Sequence, residues 1–347
     1  MKNRKREICT SGSVRDEDGQ PPHLLGRRQF LHLAASAAGL LVVPRIAFAQ
    51  AYPTRPVRIV VPFAPGGGGD IVARLIGSAL SERLGQPLVI ENRPGAGSNI
   101  GTEAVARSAP DGYTLLLVTA INAWNATLYG NLKFNFMRDI APIASIARAS
   151  FVMEVIPSFP AKTVPEFIAY AKVNQGKINM ASAGIGSPQH FSGELFKMIT
   201  GINMLHVPYR GTPAALTGLF AGDAQVMFDT ISTSIEHIRG GKLRALAVTS
   251  MTRSDLLPDI PTISEFVPGY EATGWLGLGA PKNSPAEIID RLNKETNAAL
   301  AEPSLRVRLA AVGYLAFAGS RADFSRLIAD ETEKWGKVIR AANIKPE

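Results

Sequence analysis

The chain has 347 residues, of which 46% are hydrophobic and 19% charged, and its formal net charge is +8. This composition predicts a folded protein of about two domains with a sizeable core, and it excludes a disordered or low-complexity chain. The sequence shows no repeat with a period of about 20–50 residues, which excludes a solenoid.

The first 49 residues have the pattern of an export signal that is removed. Arg27 and Arg28 precede an apolar run over residues 30–43, and residues 47–49 read Ala-Phe-Ala, a small-x-small cleavage site. The Arg-Arg-x-Phe-Leu order predicts the twin-arginine route, which exports proteins already folded. The alternative is a retained membrane anchor, but the apolar run is shorter than the ~20 residues that span a bilayer.

Removal of residues 1–49 changes both the charge and the cysteine content. The segment holds eight Lys/Arg and four acidic residues, so the net charge falls from +8 to +4. No run of basic residues remains, which argues against nucleic acid as a partner. Cys9 is the single cysteine, so the exported chain needs no disulfide and has no cysteine at the cleavage site to carry a lipid. We therefore expect a soluble periplasmic protein.

From Tyr52 onward, short apolar runs alternate with helical patterns. Strands are predicted over residues 57–61, 87–92, 113–119, 151–157, 177–184, 203–209, 224–230, 242–250 and 271–281. Helices are predicted over residues 70–84, 99–108, 164–173, 188–201, 212–222, 285–301, 304–312 and 321–342, with a short apolar run at 314–319 and a polar, loop-rich stretch at 119–143. The alternation predicts an α/β fold of mostly parallel sheets with both faces covered.

The pattern restarts after the loop-rich stretch, so the chain contains two βαβ systems. The strands at 151–157 and 271–281 are candidates for crossings between two lobes. Lobe 1 would then be discontinuous, residues 50–153 plus 273–347, and lobe 2 would be residues 154–272. Two consecutive domains are the alternative.

Three strand–loop–helix junctions are rich in glycine: residues 62–70 (PFAPGGGGD), 93–99 (RPGAGSN) and 182–190 (SAGIGSPQH). Ligands of open α/β sheets bind at such junctions, where the helix N-terminus attracts anions. Glycine also lets the backbone approach a ligand closely. The junctions therefore predict binding of an anion.

The anion is not predicted to be a nucleotide. A P-loop ends in Gly-Lys-Ser/Thr, whereas residues 66–70 end in Gly-Asp. In the other two junctions Ile100 and Gln189 occupy the third glycine position of a dinucleotide loop. An exported protein also meets no ATP or NAD pool.

Signatures of catalysis and metal binding are missing from the sequence. It contains neither G-x-S-x-G nor H-E-x-x-H, and its exported histidines, His190, His206 and His237, have no i, i+4 pairing. We therefore expect no metal and no cofactor. His190 lies beside a glycine loop and is a candidate ligand donor, His206 is predicted to be a satisfied core residue, and His237 to be solvated.

Two acidic residues lie at strand–helix junctions. Asp70 is predicted to be the N-cap of its helix, a role worth ~1 kcal/mol. Asp229 ends a predicted strand, and two roles stay open for it. It caps the helix that starts near Ser232, or it accepts a hydrogen bond from an amino or hydroxyl group of a ligand.

The sequence resembles the substrate-binding receptors of tripartite tricarboxylate transporters, the Bug-type extracytoplasmic solute receptors. The resemblance covers essentially the whole exported chain. It is carried by the ordered blocks YPTRPVRIVVPFAPGGGGDIVARLI, ENRPGAGSNIGTEAVARSAPDGYTLLL, ASAGIGSPQHFSGELFK, VPYRGTPAALTGLFAGDAQVMFD, WLGLGAPKNSP and KWGKVIRAANI. The chain departs from the family at Ala126, where proline is frequent, and at Ala224 and Gln225, where Val-Asp is frequent.

The resemblance implies a two-lobed type II periplasmic-binding fold with two crossing strands, closing on a small organic carboxylate without a reaction. It also implies membrane permease subunits as partners and a monomeric receptor. By position, the implied ligand-binding residues are Phe63, Pro65, Gly66, Gly67 and Asn125 in lobe 1, and Ala183, Gly184, Gly186, Ser187, His190, Tyr209 and Asp229 in lobe 2. The alternatives are an exported hydrolase-like enzyme and a ligand-sensing subunit on the same fold.

Overall fold

The strands form one continuous sheet whose two halves meet at a single long strand. The computed structural model describes residues 52–346, so the predicted export signal lies outside the described residues. The sheet order is β2-β1-β3-β9-β4-β7-β5-β6, and β8 and β10 also pair with β4. The strands are β1 (Val57–Val61), β2 (Leu88–Asn92), β3 (Thr114–Thr119), β4 (Ile140–Val155), β5 (Asn179–Ser182), β6 (Leu205–Pro208), β7 (Val226–Thr230), β8 (Arg244–Val248), β9 (Thr273–Pro281) and β10 (Leu315–Ala316).

The predicted α/β class is confirmed, and the sheet is mixed. β1 pairs in parallel with β2 and β3, and β5 pairs in parallel with β6 and β7. β9 runs antiparallel to β3 and β4, and β4 runs antiparallel to β7 and β8. The parallel prediction therefore holds within each half and fails at the two strands that join them.

β4 is much longer than the predicted strand at 151–157. Its residues 140–150 pair with β9, and residues 151–155 pair with β7 and β8. The pairing with β9 shifts register between Pro142 and Ala144 and again between Ser145 and Ala147. These irregularities break the alternating pattern of side chains, so the first part of the strand was not predicted from the sequence. β4 passes from one half of the sheet to the other, and the lobe boundaries proposed from the sequence stay a prediction.

Helices cover both halves of the sheet. They are α1 (Gly68–Leu84), α2 (Asn99–Ala106), α3 (Ala120–Leu128), α4 (Phe136–Asp139), α5 (Val164–Val173), α6 (Pro188–Thr200), α7 (Thr212–Ala221), α8 (Ile231–Arg239), α9 (Ala286–Ala301), α10 (Pro303–Ala311) and α11 (Arg321–Ala341). In α1, Val72, Ile76 and Leu80 are fully buried, as their spacing predicts. The helix ends at Gly85, whose φ of 70° suits glycine and whose N–H donates to the Ser81 carbonyl at 3.0 Å.

The prediction that residues 119–143 are loop-rich is wrong. They contain α3, α4 and the start of β4. Ala120, Trp124 and Leu128 recur every four residues and are buried, so α3 has a core-facing side. Thr119 and Asn122 form a reciprocal capping box at its start. Asn122 and Asn125 are buried as well, so polar residues interrupt the hydrophobic pattern of α3, which is why the helix was missed.

An aromatic cluster joins three helices that belong to different parts of the chain. Trp124 from α3 lies 4.6 Å from Phe191 of α6 and 5.3 Å from Trp335 of α11, between ring centroids. The Trp124–Phe191 contact is edge-to-face and the Trp124–Trp335 contact is tilted, and such aromatic contacts add to the burial of the rings themselves. The cluster therefore ties the two halves of the sheet together beneath α3. Within residues 52–346, no helix has the length and apolar character that a membrane crossing requires.

Candidate functional site

The first glycine junction forms the start of α1. Gly67 is the N-cap, with an extended backbone and no side-chain cap, and Gly66 has a φ of +84° that favours glycine. The first N–H groups of a helix have no acceptor within it, and the helix dipole makes this end positive. Residues 67–69 therefore present free backbone donors without side chains in front of them.

Asp70 is not the N-cap that the sequence predicted. Its side chain stabilises this turn instead. Its carboxylate, 3% exposed, accepts hydrogen bonds from the Gly66 N–H at 2.9 Å and from Asn92 Nδ2 at 2.9 Å. Arg74 binds both carboxylate oxygens at 3.0 Å. The Arg74 bond, followed by the Gly66 and Asn92 bonds, outweighs burial and lowers the pKa of Asp70 to about 2. Asn92 also donates to the Phe63 carbonyl at 3.1 Å, so the whole turn is fixed.

The turn opens into a cavity of about 640 Å³. Its walls come from the start of α1, the junction of β3 with α3, the middle of β4, the start of β9, the last residue of β7 and the first residue of α6. The lining residues are Phe63, Ala64, Pro65, Gly66, Gly67, Gly68, Gly69, Thr119, Ala120, Ile121, Trp124, Ala149, Phe151, Pro188, Thr230, Gly274, Trp275, Leu276 and Tyr314. Both halves of the sheet thus contribute to one site.

Four of the residues proposed in lobe 1 line this cavity: Phe63, Pro65, Gly66 and Gly67. The Gly66 N–H is already bound to Asp70, as described above. Asn125 lies behind the lining instead. Its amide nitrogen donates to the Gly97 carbonyl at 2.6 Å and to Asn99 Oδ1 at 3.0 Å, so Asn125 ties α3 to the second glycine loop.

The second half of the predicted site is placed differently. Of the stretch 183–190, Pro188 alone belongs to the lining. Ser187 is the N-cap of α6: its hydroxyl donates to the Gly184 carbonyl at 2.7 Å and accepts from the His190 N–H at 3.3 Å. A Cβ at Gly186 would lie 3.4 Å from Leu128, so this loop packs against the end of α3.

The remaining contacts of this loop are also internal. The Ala183 carbonyl accepts from the Gly211 N–H at 3.2 Å. The Tyr209 ring points to α7, because its hydroxyl lies 2.2 Å from the position that a Cβ at Gly218 would take. Direct ligand contacts by Ala183, Gly184, Gly186, Ser187 and Tyr209 therefore stay predictions.

His190 and His206 form a stacked pair, with ring centroids 3.6 Å apart. His190 Nδ1 accepts from the Gly186 N–H at 3.2 Å, and His206 Nε2 lies 2.6 Å from the Ser182 hydroxyl. Burial, and then the neighbouring His206, lower the pKa of His190 to about 3, and burial lowers that of His206 to about 4. Both rings are therefore neutral at pH 7, their contacts described here are internal to the protein, and a ligand contact by His190 stays a prediction.

His237 lies away from this pair, on α8. It is half-buried and packs edge-on against Phe220, with ring centroids 5.1 Å apart. The ring is therefore only partly exposed to solvent, and the expectation that it is solvated is met in part.

Asp229 is fully buried at the end of β7. Its oxygens accept from Gln189 Nε2 at 3.3 Å, from Ser234 Oγ at 3.2 Å and from the Thr233 hydroxyl. The helix-capping role is not seen, because the N-cap of α8 is Thr230 and Asp229 binds the side-chain hydroxyls of Thr233 and Ser234, not the first N–H groups of the helix. A ligand contact by Asp229 stays a prediction.

A second acid, missed by the sequence analysis, lies next to Asp229. Ser234 Oγ also lies 2.9 Å from Glu154 Oε1, and Glu154 is completely buried. Burial, and then the negative charge of Asp229, raise the pKa of Glu154 well above its usual value. Burial also raises the pKa of Asp229.

The sequence analysis missed most of the cavity wall. Thr119 and Thr230 are the last residues of β3 and β7. Ligands of open sheets bind at the ends of strands, so both residues could have been predicted from the sequence. Phe151 and Trp275 lie in the two predicted crossing strands, but nothing showed which way they point. Tyr314 lies in a short apolar run with no signal at all. The described residues, 52–346, include no cluster of three or more His, Cys, Asp or Glu that could hold a metal ion.

A mixed sheet in two halves, with a cavity between helix N-termini and the strands that join them, is the architecture of a two-lobed solute-binding protein. The comparison with known proteins agrees. Residues 72–344 match the tripartite tricarboxylate transporter family receptor, and the chain belongs to this family. It is 35% identical over 300 residues to Protein BugT of Bordetella pertussis, which covers 86% of this chain and 92% of BugT.

Solved structures of similar proteins have the same fold. The R. palustris protein Rpa4515 with adipate is 38% identical, with a TM-score of 0.73, and the match covers 85% of this chain and all of that one. MatC (Rpa3494) from Rhodopseudomonas palustris with bound malate is 33% identical, with a TM-score of 0.69, over 83% of this chain and all of MatC. The predicted family and the predicted two-lobed fold are confirmed.

Proposed function

We propose that this protein is a periplasmic receptor that captures a small organic carboxylate and delivers it to the membrane permease subunits of a tripartite transporter. One observation carries the proposal: the free N–H groups at the start of α1 open into a cavity whose walls come from both halves of the sheet. Two similar proteins were solved with adipate and with malate, which are both carboxylates.

The geometry suits reversible binding of a carboxylate. Backbone N–H and hydroxyl donors make charge-assisted hydrogen bonds to it, and no buried cation has to be desolvated. A ligand bound by the α1 turn on one side would pack against Pro188 and Thr230 on the other and so bridge the two halves. Binding would then shift an equilibrium between open and closed forms.

The composition of the wall favours a receptor over an exported hydrolase. Among the described lining residues there is no serine, cysteine, histidine, lysine or acid. A nucleophile paired with a base, which an acyl- or group-transfer enzyme needs, is therefore missing from the cavity. A sensing subunit would use the same site, and the presence of permease genes beside this gene would favour transport.

The proposed location and assembly come from the sequence. We infer that residues 1–49 direct export by the twin-arginine route and are then removed, so that the receptor works in the periplasm. It acts as a monomer, as the resemblance to the family implies, and it binds no nucleic acid, in keeping with its low net charge once the segment is lost.

A thermal-shift panel tests the proposal. The purified protein is heated with a set of carboxylates and, as matched controls, with the corresponding neutral amides. A carboxylate at 100 times its Kd stabilises the folded state by about 2.7 kcal/mol, and the amide has no effect. Mass spectrometry should recover the ligand unchanged. A conversion product, or equal stabilisation by acid and amide, would contradict the proposal.

A further inference from the structure

Two carboxyl groups, those of Glu154 on β4 and Asp229 on β7, are buried with a single serine hydroxyl between them. Both side chains are fully excluded from solvent. Ser234 Oγ, on α8, lies 2.9 Å from Glu154 Oε1 and 3.2 Å from Asp229 Oδ2. Neither acid belongs to the described lining of the cavity, so the role of the pair follows from the contacts that the two acids make with the residues around them.

The number of hydrogens in this arrangement requires a proton on one of the two acids. A serine hydroxyl has one hydrogen to donate, whereas an ionised carboxylate is an acceptor alone. If both acids were ionised, Ser234 would donate to one of them, and its oxygen would face the other carboxylate with no hydrogen between them. A proton on one acid completes both bonds, because that acid donates to Ser234 and Ser234 donates to the other acid.

The contacts of the two acids place this proton on Glu154. Each oxygen of Asp229 has a donor, as a charged carboxylate requires: Gln189 Nε2 lies 3.3 Å from Oδ1, and the hydroxyls of Thr233 and Ser234 contact Oδ2. Glu154 Oε2 is buried and has no hydrogen-bonding partner among the described residues. An ionised Glu154 would therefore leave a charged oxygen desolvated and unpaired, which costs far more than a neutral carbonyl oxygen at the same place.

The strands beside Glu154 offer no cation to balance a charge on it. Its cross-strand partners are Met227 on β7 and Ala245 on β8. Arg244, the next residue of β8, turns its guanidinium to backbone carbonyls within residues 157–161. A charge on Glu154 would therefore be buried without a counter-ion from either strand.

The charged groups of the helices packed on these strands are engaged elsewhere. On α8, Glu236 pairs with Arg239 at the surface and His237 packs against Phe220. On α6, the charged pair is formed by Glu194 and Lys197, and His190 stacks on His206. Asp229 is the ionisable group whose charge acts on Glu154, and both that charge and burial oppose ionisation of Glu154.

We propose that Glu154 carries a proton at neutral pH and donates it to Ser234, and that this proton favours binding of an anion in the adjacent cavity. The inference rests on the proposed function and adds a proton to it. Asp229 directly precedes Thr230, which lines the cavity, and Gln189, which donates to Asp229, directly follows the lining residue Pro188. The acid pair therefore lies immediately behind the wall that β7 and α6 contribute.

The proton has a direct electrostatic effect on this wall. While Glu154 is neutral, the acid pair holds one negative charge, and that charge is matched by the donors around Asp229. Ionisation of Glu154 would add a second negative charge and break its bond to Ser234, so affinity for a carboxylate falls as the pH rises. By linkage, a bound carboxylate in turn favours the protonated form of Glu154.

Infrared spectroscopy at pH 6.5 locates the proton without any ligand. Ordinary carboxyl groups, with pKa values of about 4, are ionised at this pH, so a protonated acid stands out by its own carbonyl band. We expect this band in the parent and its loss in Glu154→Gln, whose amide keeps a donor for Ser234. The matched control is Glu236→Gln, at a glutamate of α8 whose side chain is 80% exposed, and it should keep the band.

A further variant tests the partner of the proton. In Ser234→Ala the band should remain and move to higher wavenumber, because the acid loses the hydrogen bond that it donates. A band that is absent from the parent, or that survives in Glu154→Gln, would overturn the placement of the proton on Glu154. A band that does not move in Ser234→Ala would overturn the donation to Ser234.

Titration calorimetry at pH 6.5 and pH 9 tests the effect on binding. The probes are adipate, malate and benzoate, and the acid that binds the parent most tightly at pH 6.5 is measured at both pH values. Buried glutamates with pKa values of about 8–9 are documented, so pH 9 reaches the ionisation of such a group. His190 and His206, with pKa values of about 3 and 4, stay neutral throughout.

We expect the Kd of the parent to rise at least about threefold between pH 6.5 and pH 9, because a buried charge acts strongly on its surroundings. The Kd of Glu154→Gln should stay constant, since its amide has no proton to lose. An equal rise in both proteins, or a constant Kd in the parent, would overturn the link between the proton and binding. If none of the three acids bound at either pH, the proposed function would be contradicted, and the infrared band would still decide where the proton lies.

Discussion

Replacement of Asp70 by asparagine tests whether the glycine turn is held in place by the network behind it. The Asp70 carboxylate accepts hydrogen bonds from Gly66, Arg74 and Asn92. An amide in its place keeps one acceptor oxygen and turns an NH₂ group toward the other donors. Asp70→Asn should therefore weaken the turn and, with it, both stability and carboxylate binding.

The magnitude follows from the pKa of Asp70, which is lowered from 3.8 to about 2. A lowering of that size corresponds to roughly 2.5 kcal/mol. The Arg74 side chain is 52% exposed, so solvent screening reduces the figure to about 1–2 kcal/mol. For a chain of this size the melting temperature should fall by about 2–5 °C.

The assay is thermal unfolding of the parent protein, Asp70→Asn and a matched control, Asp111→Asn. Asp111 pairs with Arg55 at 3.0 Å on the surface, so its replacement should cost less than about 1 kcal/mol. Because the pKa of Asp70 is lowered, its contribution is complete above pH 4 and is lost as the pH falls through about 2. The stability difference between parent and Asp70→Asn should shrink over this range. A difference that is absent at pH 7, or that stays constant down to pH 2, would refute the reasoning.

Three further variants probe other parts of the account. Glu154→Gln should raise the melting temperature more at pH 8 than at pH 5, because a buried acid with a raised pKa destabilises the fold as the pH rises. An equal rise at both pH values would contradict the raised pKa of Glu154. Gly68→Ala places a methyl group 2.7 Å from the Tyr314 hydroxyl and should lower carboxylate affinity about tenfold without loss of stability. The control is Gly130→Ala, whose methyl group has no atom within 4 Å. Equal affinity in the two variants would exclude the α1 turn from the site. Ser187→Ala removes the cap of α6 and should cost about 1 kcal/mol in thermal unfolding, and an unchanged carboxylate affinity would remove Ser187 from the site.

Much of the fold could be predicted from the sequence, because the hydrophobic residues of most strands and helices follow clear periodic patterns. The strands that surround the glycine loops and the helices α1, α5 and α6 were predicted within a few residues. β4 was predicted too short because its bulges disturb the alternation. α3 was missed because two of its buried residues are asparagines, which interrupt the apolar pattern.

Only part of the site could be predicted from the sequence. Glycine marked the α1 turn, since a close approach to a ligand needs residues without side chains. The role of Asp70 was wrong, because a residue in the first turn can hold the backbone before the helix as well as cap it. Phe151, Trp275 and Tyr314 were missed, because their positions in the cavity depend on how distant parts of the chain pack together.

The most direct test of the account is a crystal structure of the protein with the carboxylate that stabilises it most in the thermal-shift panel. We predict carboxylate oxygens within hydrogen-bonding distance of the N–H groups at residues 67–69, with the ligand chemically intact. A carboxylate bound elsewhere, or a converted ligand in the cavity, would contradict the account.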